Sequence, residues 1–418
     1  MKKTIYSLLL LAVVLISSVP ARSGQERLRV AVNSFDNLNN DKKYAHLSAG
    51  FSEALTQGLF QIKNILVVER QGLDRIMREH ELAQAGAIDE KSAVKTGRLM
   101  GANYLVMGKY QIAGGNVRVF CRLVNVETGA VSRDHSFQVT GSLDGIFTVQ
   151  DELVKRITAS FGISPGTDER RRVETVNREL SLTKDEFKLY LQARKEFYLA
   201  TPDSYQRAII LYAKALGING KFALAWAGLA TANLYKGYER SWNGQSYDEE
   251  YFKALAAARQ AIRFAPDLSE TNCAMALVHA YWLPRPKRKE AEEWARKALA
   301  INENNAEAYF AISKARGGDL EYLKKTIEKD PQYILAYNWL GLVYQKMNMI
   351  DKAIEMHRTS IRLNPKWALE YANLAYCLFL QKKYPEAMEN INRALQLKPD
   401  LKPAHVIKGM IVKASGGR

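Results

Sequence analysis

A repeat of 34 residues in the C-terminal half constrains the fold of this chain more than any other feature. Counted from Ile334, Leu340 and Gly341 stand at positions seven and eight, and Pro365 stands at position thirty-two. Counted from Ala368, the equivalent residues are Leu374, Ala375 and Pro399. A small residue at position eight lets two helices approach closely, and the late proline ends the second helix because it lacks an N–H group. The pattern predicts helical pairs that stack into an all-α superhelix with a concave groove.

This pattern resembles the tetratricopeptide repeat, a helix–turn–helix unit of the same length. Weaker matches begin at Asp185, so about six tetratricopeptide repeats are predicted over residues 185–401. Residues 402–418 are predicted to form a C-terminal capping helix and tail. The resemblance implies a protein that holds other proteins in its groove and rarely performs chemistry.

The N-terminus has the pattern of an export signal. Lys2 and Lys3 precede an apolar run over residues 5–16, and small residues follow up to Ala21. We therefore predict a signal peptide at residues 1–21, cleaved near Ala21. The run is shorter than the roughly 20 residues of a spanning helix, although a retained anchor is the alternative interpretation. The mature protein is expected in the periplasm or against the outer membrane of a bacterial envelope, and not to span a membrane.

The net charge and the cysteines say little more about partners. The formal charge of +16 favours acidic partners, but export makes nucleic acid an unexpected one. Cys121, Cys273 and Cys377 have no metal-ligand spacing and are predicted to be buried free thiols. No cysteine directly follows the signal peptide, so the lipid anchor of a bacterial lipoprotein is not expected there.

Residues 27–163 alternate between strand-like and helix-like patterns and predict a two-layer α+β domain. Strands are predicted over residues 28–32, 64–69, 103–112, 117–126 and 130–139. Helices are predicted over residues 44–62, 73–83, 91–100 and 143–161. Gly114 and Gly115 lie between two of the strands and predict a hairpin turn rather than a ligand loop.

Three segments of this domain resemble the curli-secretion CsgG family and its FlgO-like and TolB-like relatives. They are residues 68–70 with Leu73, Ile76 and Glu79; Gly97 with residues 99–108; and residues 122–129, with weaker likeness at 143–147 and 150–153. The resemblance implies a periplasmic domain that docks on an envelope assembly or self-associates. The family's lipidated cysteine and an insertion able to form lipid-facing hairpins are both missing, so pore formation is not implied.

Pro165 and Gly166 followed by a charge run indicate a linker over residues 164–184. Its charges are predicted to be solvated, with docking of acidic partners as the alternative. The predicted fold class is therefore an α+β two-layer, CsgG-like N-terminal domain followed by an all-α tetratricopeptide-repeat superhelix. We expect the N-terminal domain to fold independently of the repeats.

Catalytic, metal and cofactor motifs are not found. The six histidines are scattered, and neither a metal-binding HExxH, a GxSxG elbow nor a phosphate-binding GxxxxGK[ST] loop is present. We predict a protein that is not an enzyme, with no cofactor and no metal site.

The groove supplies the candidate binding site. Positions 2, 5, 6, 9, 12 and 13 of the first helix of each repeat face the concave side. The residues predicted there to bind protein are Tyr235, Tyr281, Asn338, Trp339, Leu342, Gln345, Asn373, Tyr376 and Phe379. This set is aromatic and lacks the lysine, asparagine and arginine pattern that clamps a C-terminal carboxylate in some tetratricopeptide proteins. It favours an extended peptide or an amphipathic helix as the client. The alternative is that these side chains pack against neighbouring helices.

Taken together, the sequence favours a non-enzymatic periplasmic adaptor that recruits a protein client through its repeats and docks through its CsgG-like domain. The alternative function is a structural component of an envelope secretion or motility assembly that oligomerises through that domain. An envelope enzyme with an unrecognised site is a third, weaker hypothesis.

Overall fold

The structure is a computed structural model that describes residues 28–68, 94, 97–98, 101–131, 133–180, 185–281 and 287–416. The predicted signal peptide at residues 1–21, the predicted helix at 73–83 and most of the one at 91–100 lie outside the described residues. Most of the first CsgG-like segment and residues 99–100 of the second lie outside them as well.

The N-terminal part is built on a five-stranded mixed sheet in the order β2-β1-β3-β4-β5. The strands are β1 (Leu28–Asn37), β2 (Ile65–Val68), β3 (Tyr104–Ala113), β4 (Asn116–Asn125) and β5 (Ser136–Ser142). β1 runs parallel to both of its neighbours, β2 and β3, whereas β4 runs antiparallel to both β3 and β5. The β3–β4 turn is the predicted hairpin, and both of its glycines have positive φ, which a residue without Cβ adopts readily.

Two helices cover one face of the sheet: α1 (Leu47–Phe60) and α2 (Ile146–Ser160). Phe51, Leu55 and Leu59 recur at helical spacing on α1 and are fully buried against the alternating apolar residues of β1 and β4. The opposite face carries a smaller apolar cluster that includes Leu105 and Val124. The predicted α+β class of this domain is confirmed.

The segment 164–184 is not the loose linker that its charge run indicated. Residues Thr167–Glu179 form a helix, α3, that packs on α1 and α2. Arg170, Arg171 and Arg178 are exposed, whereas Arg172, Val173 and Val176 are buried, so most of the charge run lies on the outer face of an amphipathic helix. Asn177 Nδ2 also donates to Asp151 of α2 at 2.7 Å. This helix therefore extends the N-terminal core.

The C-terminal part consists, over the described residues, of six antiparallel helical pairs and one further helix. The pairs are α4 (Asp185–Phe197) with α5 (Pro202–Ile218), α6 (Ala223–Trp242) with α7 (Asp248–Phe264), α8 (Ser269–Ala280) with α9 (Arg288–Ile301), α10 (Ala306–Ala315) with α11 (Leu320–Lys329), α12 (Ile334–Lys346) with α13 (Ile350–Leu363), and α14 (Ala368–Leu380) with α15 (Tyr384–Leu397). The last helix is α16 (Lys402–Ser415). This is the predicted all-α superhelix of tetratricopeptide type.

Close helix approach explains the small residue at position eight. A Cβ placed on Gly341 of α12 would lie 2.4 Å from the His357 ring of α13. Ala353 and Ala387, at position twenty of their repeats, are also fully buried. The small residues that recur at these positions in the sequence are therefore the ones that allow the two helices of a pair to pack closely.

The two parts of the chain share one hydrophobic core. The buried cluster that begins in the sheet continues without a break through Val176 of α3 into Phe187, Tyr190 and Phe222 of the first repeats. At the edge of the superhelix, the α9–α10 loop holds the turn that follows α1. Asn304 Nδ2 donates to the carbonyl oxygens of Lys63 and Ile65 at 2.8 and 3.1 Å. Carbonyl groups of this turn and of the first residue of β2 thus find hydrogen-bond partners in the repeats.

Candidate protein-binding surface

The concave side of the superhelix is lined by the first helices of the pairs, and it divides into a buried and an accessible region. Tyr235 of α6 and Tyr281 of α8 belong to the buried region, with 4% and 3% of their surface exposed. Their rings meet edge to face at 5.7 Å, and Tyr235 also contacts Phe197 and Tyr205 of the first repeat. These two tyrosines, predicted to bind a client, instead form the core between neighbouring repeats because aromatic side chains of successive helices cover one another.

Asn338 is also buried, in a polar network between the fifth and sixth repeats. Its Nδ2 donates to Glu370 Oε1, and the other carboxylate oxygen of Glu370 lies 3.0 Å from His357 Nδ1. Burial alone would lower the pKa of His357, but the charge of Glu370 and hydrogen bonds to Cys377 and Glu370 outweigh it and raise the pKa to about 9. The network joins two repeats and leaves Asn338 unable to reach a client.

Trp339 lies under Lys314, a residue that the sequence analysis did not include in the binding site. Lys314 Nζ of α10 stands 3.8 Å from the ring centre of Trp339, 4.2 Å from that of Tyr281 and 4.8 Å from that of Tyr238. Four successive repeats therefore contribute to one cation–π cluster. Burial and, to a smaller extent, the charge of Lys346 lower the pKa of Lys314 to about 7. The three ring faces favour its charged form.

A sequence signal for Lys314 existed. The turn that begins at Asn302 precedes α10 as the turn at Asn364 precedes α14. Aligning the shortened fourth repeat on this asparagine places Lys314 at position nine, a concave position.

The remaining predicted residues are partly accessible. They are Leu342 and Gln345 of α12, and Asn373, Tyr376 and Phe379 of α14. Tyr376 and Phe379 stack with ring centres 6.3 Å apart, and Phe379 also contacts Tyr384 at 5.9 Å. Leu380, which follows them on the same side of the helix, is 43% exposed. We name Tyr376, Phe379 and Leu380 the α14 aromatic face.

The end of α6 crosses the concave side and reaches the C-terminal repeats. Glu239 Oε2 accepts from Lys398 Nζ at 3.4 Å, and Asn243 Oδ1 accepts from the backbone N–H of Lys402 at 3.5 Å. Trp242 packs against the apolar cluster of the sixth repeat. The end of α6 thus bridges the second repeat and the C-terminal repeats across the concave side.

The described part of the chain contains no group of three or more histidine, cysteine, aspartate or glutamate side chains arranged to hold a metal ion. Within the same residues no helix combines the length and the hydropathy that a bilayer-spanning segment needs. The three cysteines are free and buried, as the sequence predicted.

Comparison with known families agrees with this architecture. The family described as "Curli production assembly/transport component CsgG" matches residues 12–118. Two tetratricopeptide repeat families match residues 322–355 and 371–401. The chain carries a CsgG domain followed by tetratricopeptide repeats. The match begins inside the apolar N-terminal run and ends in β4, so it covers most of the sheet.

Curated proteins of similar sequence share only part of the chain. Protein O-mannosyl-transferase TMTC1 of Homo sapiens is 30% identical over 162 residues, which are 36% of this chain and 18% of that protein. The Mus musculus protein of the same name is 28% identical over 210 residues, 42% of this chain and 22% of its own length. The chain thus spans about a fifth of the length of the curated relatives it matches.

Two solved structures illustrate the structural matches. MamA is 23% identical with a TM-score of 0.30, covering 36% of this chain and 91% of its own. YrrB, titled a TPR protein with an unusual peptide-binding site, is 19% identical with a TM-score of 0.30, covering 47% of this chain and 97% of its own.

Proposed function

We propose that this protein is a non-enzymatic adaptor of a bacterial cell envelope. It is exported to the periplasm, with its signal peptide cleaved near Ala21, and acts by binding without bond chemistry. Its repeats bind a protein client, and its CsgG-like domain docks on an envelope assembly. The basic start and short apolar run at the N-terminus support the export step.

The observation that carries the proposal is the α14 aromatic face. Tyr376, Phe379 and Leu380 occupy concave positions 9, 12 and 13 of the sixth repeat, where the neighbouring side chains leave part of each accessible. Large aromatic side chains in a partly enclosed surface are the residues that most often dominate the energy of protein–protein binding. The adjacent amides of Gln345 and Asn373 supply hydrogen-bonding groups beside them.

The rigid joint between the two parts supports an adaptor role. A shared core and the hydrogen bonds of Asn304 hold the CsgG-like domain against the edge of the superhelix. A client on the α14 aromatic face is therefore held in a fixed orientation relative to whatever the CsgG-like domain contacts. Such an arrangement suits a protein that brings two others together.

Client capture with matched variants tests this function. Tagged full-length protein and its Tyr376→Ala/Phe379→Ala variant are expressed in the source bacterium, and proteins retained from the envelope fraction are quantified. A hot-spot truncation costs about 2 kcal/mol, so we expect retention of the client to fall roughly thirty-fold. Phe252→Ala, which removes an aromatic that is 58% exposed on α7, is the control and is expected to retain the client.

A specific feature favours the second candidate function, a structural component of a secretion or motility assembly. The sheet ends at β5, whose outer edge pairs with no strand among the described residues. An open strand edge can pair with another copy of the same domain. The mass of the purified protein in solution separates the two functions: a large symmetric species supports the assembly component, and a monomer or dimer supports the adaptor.

A further inference from the structure

Helix α6 is longer at its C-terminal end than the first helix of a repeat needs to be. The helix has 20 residues, whereas the equivalent first helices α12 and α14 have 13 each. Position 13 of the repeat is Tyr235, and α6 continues past it to Trp242. At 1.5 Å per residue, these extra residues add roughly 10 Å of helix on the concave side. We name residues 236–243 the α6 extension.

The side chains of the α6 extension dock like those of a bound peptide helix. Tyr238 and Trp242 are four residues apart and therefore share a face of the helix. Tyr238 packs edge to face on Tyr281 at 5.0 Å and lies 4.8 Å below the ammonium group of Lys314. Trp242 contacts Tyr238 at 5.5 Å and enters the apolar cluster of the sixth repeat.

Charge complementarity accompanies this aromatic contact. Glu239, which follows the first aromatic residue, pairs with Lys398 at 3.4 Å, and the two side chains are only 16% and 20% exposed. The receiving surface contributes Lys314 and Lys398 from the fourth and sixth repeats. A helix that presents two aromatics and one carboxylate thus meets two lysines in a partly dehydrated groove, where such pairs are stronger than at an open surface.

We propose that the α6 extension is an intramolecular pseudo-ligand, and that the surface beneath it takes a partner helix of the same chemistry. The partner is an amphipathic helix with aromatic residues at positions i and i+4 and an acidic residue at i+1. The inference rests on the proposed function, because both require the groove to be a binding surface. It adds a second subsite, covered by the α6 extension, next to the α14 aromatic face. Because the extension is covalently continuous with α6, it occupies the subsite in preference to a free helix of similar affinity.

A peptide that copies the extension tests this directly. A fluorescent synthetic peptide of residues 232–247 is titrated into the full chain and into two variants, Trp242→Ala and Glu239→Lys. The first removes the aromatic anchor of the tethered helix, and the second opposes Lys398 with a like charge. Release of the tethered helix raises the fraction of chains with an open subsite, so we expect both variants to bind the peptide at least tenfold more tightly than the unaltered chain.

Two controls complete the experiment. Phe252→Ala is expected to bind the peptide no better than the unaltered chain, and a peptide with both aromatics replaced by alanine is expected to bind none of them. Thermal melting shows which variants are folded, and Glu239→Lys decides the result if Trp242→Ala unfolds. A folded Glu239→Lys variant without a gain in peptide binding would overturn the proposal and make the extension a structural brace. The client-capture result at Tyr376 and Phe379 is independent of this outcome.

Discussion

The carboxylate of Glu53 in α1 lies 2.8 Å from the guanidinium group of Arg194 in α4, and 9% and 11% of the two side chains are exposed. This ion pair crosses from the CsgG-like domain into the first repeat. Arg194 also donates to the hydroxyl groups of Tyr198 at 2.8 Å and Tyr190 at 3.4 Å. A charged pair this well enclosed and hydrogen-bonded fixes how the two parts of the chain meet.

Replacing Arg194 with methionine is expected to destabilise the full chain by about 3–5 kcal/mol. The methionine fills much of the same space but leaves the Glu53 carboxylate buried without its partner. Denaturant unfolding measures the change. The matched control is Arg207→Met, since Arg207 pairs with Glu196 at the same 2.8 Å but is 51% exposed. Exposed pairs contribute about 0–1 kcal/mol. Equal effects of the two substitutions would show that the Glu53–Arg194 pair does not join the domains.

The shared core predicts that the chain unfolds as one unit. A fragment of residues 22–163 loses α3 and the first repeat, which exposes the buried side of α1 and of α2. We expect this fragment to lack a cooperative thermal transition, whereas residues 22–222 regain one. Calorimetry on both fragments and on the full chain provides the measurement. A fragment 22–163 as stable as the full chain would restore the independent domain that the sequence favoured.

Two glycines at the same repeat position give a matched pair of substitutions. A Cβ on Gly341 would lie 2.4 Å from the His357 ring, whereas one on Gly409 of α16 meets nothing within 4 Å. Gly341→Ala is therefore expected to destabilise the protein by about 1–3 kcal/mol through overpacking. Gly409→Ala is expected to stabilise it by roughly 0.5–1 kcal/mol, because alanine loses less backbone freedom in a helix. The same sign for both would contradict the packing described for position eight.

The His357–Glu370 pair predicts a pH-dependent stability. The pKa of His357 is about 9, above the ordinary histidine value of 6.5, so the folded state favours the charged ring. The resulting stability is fully present below about pH 6.5 and is lost as the pH rises through about 9. It amounts to about 3 kcal/mol at 1.4 kcal/mol per pKa unit.

Unfolding of His357→Gln is therefore measured at pH 6 and at pH 9.5. We expect the difference in unfolding free energy from the unaltered chain to be large at pH 6 and to shrink by about 3 kcal/mol at pH 9.5. A difference that is the same at both pH values would mean that the ring is neutral in the folded protein.

Local pattern predicted the architecture well because the helical pairs are encoded by nearest-neighbour packing. The spacing of Gly341, Ala353 and Pro365 reports contacts within one repeat, so it could be read without knowledge of the rest of the fold. Likewise, Gly114 and Gly115 marked the β3–β4 hairpin, since a tight turn is a property of the local backbone.

The binding surface was harder to predict because it depends on contacts distant in sequence. The repeat positions predicted correctly that Tyr235 and Tyr281 point inward. They did not show that Phe197 and Tyr205 pack on Tyr235, or that Tyr238 of the α6 extension packs on Tyr281. Gly237 lies inside α6, and a Cβ there would lie only 3.0 Å from Glu250 Cβ of α7, so the two helices approach closely at that point. The charge run before Val173 indicated a linker because the sequence alone does not show that the apolar residues after it pack on α1 and α2 as part of α3.

We propose that the accessible concave surface of the repeats binds a protein. A photo-crosslinking amino acid placed at Phe379 tests it most directly, with the same group at Ile210, an exposed position on the second helix of the first pair, as the comparison. After irradiation of living cells, we expect the group at position 379 to give a discrete adduct with a client. The group at position 210 is expected to give no adduct of that mass. No adduct from position 379, or the same adducts from both positions, would contradict this proposal.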